Sequence, residues 1–266
     1  MADTLLEVEH LKKVYESATG EVEAIGDISF SMRRGELVCI VGPSGCGKTT
    51  LLKCIAGLLR PTAGKITLDS HTVTGPPANM ALVFQEYGRS LLPWLTVRGN
   101  VELPLRHKSL SRAERTRLVD DALVAVGLDH ADRSYPWQLS GGMQQRVAIA
   151  RAVAYQPEIL IMDEPFAAVD AQTRADLEDL VRRLHLDRGM SILFVTHDID
   201  ESVYLGERVV VLSKSPTWVQ EDLSIDLDAD RDQITTRALP RFTELRTHVY
   251  EQIQRAKRGE AVRPAA

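Results

Sequence analysis

Cysteine is scarce in this chain of 266 residues: it occurs only at Cys39, Cys46 and Cys54. An odd number, crowded into one short stretch, excludes a disulfide framework and argues for reduced thiols in a cytosolic protein. Long apolar runs are missing too. None approaches the roughly 20 residues that span a bilayer, and the opening MADTLLEVEHLKK has no apolar stretch of a secretory signal. A chain built this way works at a membrane only by docking onto another protein there. Positive charge is not in excess: the net charge is -5, so no clustered basic footprint points to nucleic acid and none is expected as a partner. Internal repeats are absent. What remains, 44% hydrophobic and 26% charged residues, is the composition of a globular protein of one or two domains with a sizeable core.

Short apolar, β-branched runs alternate with helical patterns, which predicts a largely parallel sheet covered by helices. The expected strands are LLEVEHL, DISFSM, ELVCIVG, KITLD, ALVFQ, ILIMD, SILFVTH and RVVVLS. The first, second and fourth alternate polar and apolar residues more than the others, as a separate antiparallel layer would. Residues 86–156 hold no convincing strand. Within them SRAERTRLVDDALVAVG opens with Ser111 and Glu114 at capping-box spacing and closes at Gly127. Leu118, Ala122, Leu123 and Val126 give that helix an apolar face. The chain therefore reads as an α/β core (1–85 and 157–213), an inserted α-helical subdomain (86–156) and a C-terminal extension (214–266) whose last stretch, RAKRGEAVRPAA, is expected to be disordered.

The chemistry begins at GPSGCGKTT, residues Gly42, Pro43, Ser44, Gly45, Cys46, Gly47, Lys48, Thr49 and Thr50. It fits G-x-x-x-x-G-K-[ST] between an apolar strand and a helix, the context that makes the motif specific. Glycines let the backbone wrap phosphate oxygens, and amides at the helix N-terminus supply positive potential. Lys48 suits the β- and γ-phosphates of a nucleotide, and the Thr49 hydroxyl suits Mg²⁺. ILIMDEP puts Asp163 at the C-terminal end of a buried strand, where open α/β sheets bind ligands, as a second candidate metal ligand. Glu164 beside it could orient or deprotonate an attacking water. Gln85 and His197 end two further strands. Each alone would be an ordinary loop residue; together they suggest metal or water contact for Gln85 and γ-phosphate contact for His197. Tyr15 could stack on a nucleobase or pack in the core. A second glycine-rich helix start, LSGGM, offers Ser140, Gly141 and Gly142 to an anion but brings no lysine.

This constellation resembles the nucleotide-binding subunit of an ATP-binding cassette (ABC) transporter over roughly Leu5 to Ser213. GPSGCGKTT looks like the Walker A loop, Gln85 the Q-loop, LSGGM the signature, ILIMDEP Walker B, AAVD the D-loop and His197 the switch histidine, with Tyr15 in the place of the adenine-stacking aromatic. Met143 replaces a common glutamine, and AAVD departs from SALD or GALD. The resemblance implies a P-loop NTPase (RecA-like) core with an antiparallel β layer and the helical insert. It implies an ATPase using ATP and Mg²⁺, in which two copies pack head to tail and each nucleotide lies between one Walker A loop and the other chain's signature. Partners would be integral membrane permease subunits and, indirectly, a solute-binding protein, with the subunit peripheral on the cytoplasmic face of the cell membrane.

SLLPWLTVRGNVELPL and PRFTELRTHVYEQIQ look like the importer ATPases for nitrate, sulfonates and taurine. An exporter ATPase, an importer of another solute, or a non-transport cassette ATPase stands as the alternative. Only 53 residues follow Ser213, too few for the regulatory β-domain of some sugar-importer relatives. Trp94 would contact the permease or pack inside the insert.

Overall fold

The computed structural model describes residues 3–17, 20–85 and 87–260. Two long strands, β1 (Thr4–Ser17) and β2 (Gly20–Arg33), are followed by β3 (Leu37–Val41), helix α1 (Lys48–Ile55), β4 (Ala63–Leu68), β5 (His71–Thr72) and β6 (Met80–Val83). The helical stretch comprises α2 (Tyr87–Ser90), α3 (Val97–Glu102), α4 (Arg112–Ala125) and α5 (Gly141–Ala154) with three short 3-10 turns, and none of its described residues is in a strand. The chain continues through β7 (Ile159–Asp163), α6 (Ala171–Arg188), β8 (Ser191–Val195), α7 (Ile199–Leu205), β9 (Arg208–Leu212), β10 (Thr217–Ser224) and α8 (Pro240–Arg258). None of the described helices is long and apolar enough to cross a membrane.

All ten strands join one sheet in the order β5-β4-β1-β2-β10-β9-β3-β8-β7-β6. The run β9-β3-β8-β7-β6 is parallel; β1, β2 and β4 pair antiparallel, as their alternation predicted, and β5 joins them antiparallel to β4. The parallel strands are apolar except at the end positions Asp163, Ser191 and Arg208, because both faces are covered. Leu37, Cys39 and Val41 of β3 face the core beneath the helical stretch and α6–α8, together with Leu160, Met162, Ile192, Phe194, Val209 and Val211. Val38, Ile40, Ile159, Ile161, Leu193, Val195, Val210 and Leu212 point the other way, onto α1 and the antiparallel strands. The antiparallel layer thus continues the sheet and closes over α1.

Local chemistry explains the helix ends. Ser111 accepts from the Glu114 amide at 3.2 Å while Glu114 accepts from the Ser111 amide at 2.8 Å, the reciprocal cap that the spacing predicted. Gly127, at φ +71, turns the chain after α4 in the left-handed conformation that favours glycine. Leu118, Ala122, Leu123 and Val126 are buried, with Val119 beside them.

Three expectations are corrected. β5 was not foreseen, being two residues long. The sheet does not end at Ser213: β10 lies between β2 and β9, and its half-polar sequence hides a strand whose edges are satisfied only by distant partners. The expected disordered tail is helical through Arg258, because Val249, Ile253 and Ala256 give α8 a buried stripe that extends into it; residues 261–266 lie outside the described residues.

Buried carboxylates outside the sheet edge were not anticipated. Glu201, in the first turn of α7, is 4% exposed. Burial pushes its carboxyl up to about 8 against a hydrogen bond from Thr196, with the Glu178 and Asp198 charges adding to the rise. The folded state holds this proton while the unfolded chain releases it, so stability falls as pH rises from about 4.5 to about 8. Glu201→Gln keeps the shape without the titration. It should therefore gain melting temperature over wild type at about pH 8 and show the smallest gain at about pH 5; parallel melting curves at the two pH values check this.

Candidate functional site

Parallel register brings the expected residues to one sheet edge. Asp163 pairs with Val195, Ile40 with Val195, and Val83 with Met162, so the C-terminal ends of β3, β6, β7 and β8 lie in a row. From that row emerge the loop Gly42–Gly47, Gln85, the pair Asp163–Glu164, and His197. Gln85 is exposed, two residues past β6.

Glycine shapes the loop between β3 and α1. Gly47 has φ +101, and a Cβ on Gly42 would meet Cys46 Sγ at 2.9 Å and Leu212 Cβ at 3.0 Å. Gly47 caps α1 without a side-chain hydrogen bond, and no acidic residue occupies the first turn, which leaves the leading amides open to an anion. Ser44 and Gly45 are exposed on the outer curve, while Pro43 and Cys46 are buried. Burial pushes the Cys46 thiol up, so the side chain serves as packing. Lys48 is buried, its Nζ donating to the carbonyls of Gly42 at 3.1 Å and Pro43 at 3.4 Å, 3.8 Å from Glu164 Oε1.

Thr49 and Asp163, both candidate metal ligands, touch: the threonine hydroxyl hydrogen-bonds the carboxylate. Burial raises the Asp163 carboxyl above the usual range, the adjoining Glu164 charge adds to this, and Thr49 and Lys48 oppose it. No cluster of three or more His, Cys, Asp or Glu that could hold a metal exists among the described residues. A metal here would rely on hard oxygen donors, nucleotide phosphates and water, the set that suits Mg²⁺. Glu164 has φ +43, a conformation disfavoured for a side-chain residue, and its amide is tied to the Val195 carbonyl at 2.8 Å. A 2.8 Å hydrogen bond joins its Oε2 to His197 Nδ1. Lys48, Thr49, Asp163, Glu164 and His197 thus form one connected constellation.

Tyr15 does not pack in the core. It is 40% exposed, its hydroxyl shares a 3.2 Å hydrogen bond with Thr50 Oγ1, and its ring flanks the loop. Trp94 is 70% exposed and so does not pack inside the insert; buried Asn100, bonded to the backbone of Leu92, Leu95 and Thr96, holds its loop outward. Thr217 of β10 escaped sequence reading altogether. Its hydroxyl sits between the carbonyls of Cys46 and Ala24 and braces the loop from behind.

The signature stands apart. Ser140 caps α5, accepting from the Met143 amide at 3.3 Å, and α5 packs on α2, α3, α4, α6 and β6, whereas α1 packs on β2 and β7. The cap uses an acceptor lone pair of Ser140, which leaves its hydroxyl proton free to donate alongside the amides of Gly141 and Gly142.

The family model described as ABC transporter matches residues 25–167. The chain belongs to the ABC transporter family. It is 45% identical to the Nitrate import ATP-binding protein NrtD of Synechocystis sp., covering 85% of each chain. It is 47% identical to the Taurine import ATP-binding protein TauB of Yersinia pestis, over 76% of this chain and 79% of that one. A solved dimeric ATP-binding cassette in a post-hydrolysis state, bound to ADP and Pi, superposes with TM-score 0.72 at 31% identity, over 84% of this chain and 100% of that one. This ABC cassette is thus an ATPase of a transporter, with the P-loop fold that its sequence predicted.

Glu164→Gln keeps size and hydrogen bonding but removes basicity. ATP binding should persist while turnover falls by about a hundredfold or more; nucleotide-binding fluorescence and phosphate release measure the two separately. Lys48→Ala should instead weaken ATP binding itself, through loss of the charge held over the loop.

Proposed function

We propose that this chain energises import of a small solute of the nitrate or taurine kind through separate membrane permease subunits, from the cytoplasmic face of the cell membrane. Two copies close head to tail on MgATP. Lys48 and the amides of Gly42–Gly47 hold the phosphates, and Tyr15 stacks on the base. Thr49, Asp163 and Gln85 hold Mg²⁺, which when bound neutralises phosphate charge and polarises the γ-phosphoryl group. Glu164 activates the water, His197 contacts the γ-phosphate, and Ser140, Gly141 and Gly142 donate to that phosphate from the other copy. Because the γ-phosphate then bridges two chains, its loss weakens the closed pair, and the reopening drives the permease.

The observation that carries this reading is the second anion-ready helix start. Ser140 keeps its hydroxyl proton available at the head of α5, with no lysine near it in sequence and no share in the Lys48 constellation. A half-site of that kind needs a nucleotide held by another chain. The likeness to a dimeric cassette bound to ADP and Pi, and the import names of the relatives, support the pairing and the direction of transport. Docking of a permease is supported by the groove along β6, lined by Met80, Leu82, Pro104, Ala148, Arg151 and Tyr155, and by exposed Trp94. A solute-binding protein would act on the permease from the other side.

Mixed dimers test the shared site. One chain carrying Lys48→Ala is paired with a differently tagged chain carrying Gly141→Asp, whose charge opposes the γ-phosphate. With shared sites both defects fall in one site, and the dimer should occlude about one ATP. Placing both substitutions in one chain opposite wild type puts a defect in each site, and occlusion should fail. The reverse outcome, or equal behaviour of the two pairs, would refute sharing. The chain without nucleotide should sediment mostly as a monomer.

A further inference from the structure

Gly142 stands in the first turn of α5, and its φ is not in the left-handed region. Backbone conformation therefore does not require glycine there, and helix propensity disfavours it. Something else keeps a side chain out. A Cβ at position 142 would lie 2.4 Å from Thr173 Cγ2, with Thr173 Cβ and Oγ1 both at 3.7 Å. Ordinary carbon–carbon contact is about 3.5–4.0 Å, so the methyl of Thr173 occupies the space a side chain would need.

That methyl is not free to swing aside. Thr173 is β-branched and lies in the first turn of α6, where few rotamers are open to it. Its hydroxyl donates to Asp170 Oδ2 at 2.7 Å, and its amide donates to Asp170 Oδ1 at 3.0 Å. Asp170 is the N-cap of α6. Turning the methyl away would break the hydroxyl bond to that cap. The cap in turn ends the short segment that begins at Glu164, so the start of α5 rests on the helix that this segment leads into from the Asp163–Glu164 pair of its own chain.

We infer that Thr173 is a positioning residue for the signature turn: its methyl, pinned by Asp170, seats the backbone of Gly142, and position 142 is glycine because of this contact within the chain. The inference rests on the reading that Ser140–Gly142 receive a phosphate held by a second copy. It departs from that reading in the reason for the glycine, which lies in Thr173 as well as in the nucleotide.

Second-site rescue separates the two reasons. Gly142→Ala should lower ATP turnover of the purified chain by about a hundredfold, the effect of misplacing a donor group by about 1 Å. Thr173→Ser keeps the hydroxyl bond to Asp170 but removes the methyl, and alone should cost about twofold to threefold. In the Gly142→Ala/Thr173→Ser pair the new Cβ takes the vacated space, and turnover should return to within about threefold of Thr173→Ser alone. Thr173→Val keeps the methyl and loses the hydroxyl, so Gly142→Ala/Thr173→Val should stay inactive. Melting curves accompany each protein; if Gly142→Ala loses its folded state, restoration of melting by Thr173→Ser counts as rescue. An inactive or unfolded Gly142→Ala that Thr173→Ser does not restore overturns the role of Thr173 and leaves the shared site standing. A fully active Gly142→Ala overturns the role of Thr173, while the mixed-dimer occlusion decides the shared site on its own.

Discussion

Parallel pairing of β3, β8 and β7 is the constraint on which the rest of this molecule depends. Through Val195, that register sets Ile40 and Asp163 in line, and with them the phosphate-loop start, the carboxylate pair and the histidine that follows β8. A slip of one residue would turn every side chain to the opposite face, exchanging the two cores and carrying Asp163 away from Thr49. The slip is resisted because both faces are dry: alternate residues of each strand are committed to different apolar clusters. Chemistry at the edge is therefore held in place by hydrophobic packing well below it.

Two helix starts then do different work with the same physics. At α1 the cap is Gly47, which contributes no side chain and leaves the leading amides open to an anion. At α5 the cap is Ser140, whose own bond to Met143 finishes the helix while a proton remains for an external acceptor. Lysine belongs only to the first; on the proposed shared site a second cation would be redundant, because the nucleotide would arrive already held.

The C-terminal stretch supports the helix that follows His197 from behind. Arg231 Nη1 donates to the carbonyls of Val203, Tyr204 and Gly206, and Arg182 donates to Leu205, so two guanidinium groups satisfy the C-terminal end of α7. Asp198 caps the other end, next to His197. A short helix of marginal intrinsic stability is thereby fixed at both ends by residues far apart in sequence.

What the sequence determined by itself was local: the phosphate loop, the Ser111–Glu114 cap, the buried runs, and the carboxylates and histidine that end them. Each is written in a few consecutive residues whose backbone chemistry acts at short range, and together they were enough to assign the α/β fold and the ATP-binding family. Tertiary structure decided what depended on distant partners. Thr217 braces the loop only because β10 slots between β2 and β9, and its polar, unremarkable segment carries no strand signal of its own. Glu201 holds a proton because neighbouring elements bury it. For Tyr15 and Trp94, each open to two readings as letters, exposure excludes the core-packing one. The reason is the same throughout: burial and strand pairing are properties of the assembled neighbours, and no local pattern encodes which neighbours will arrive.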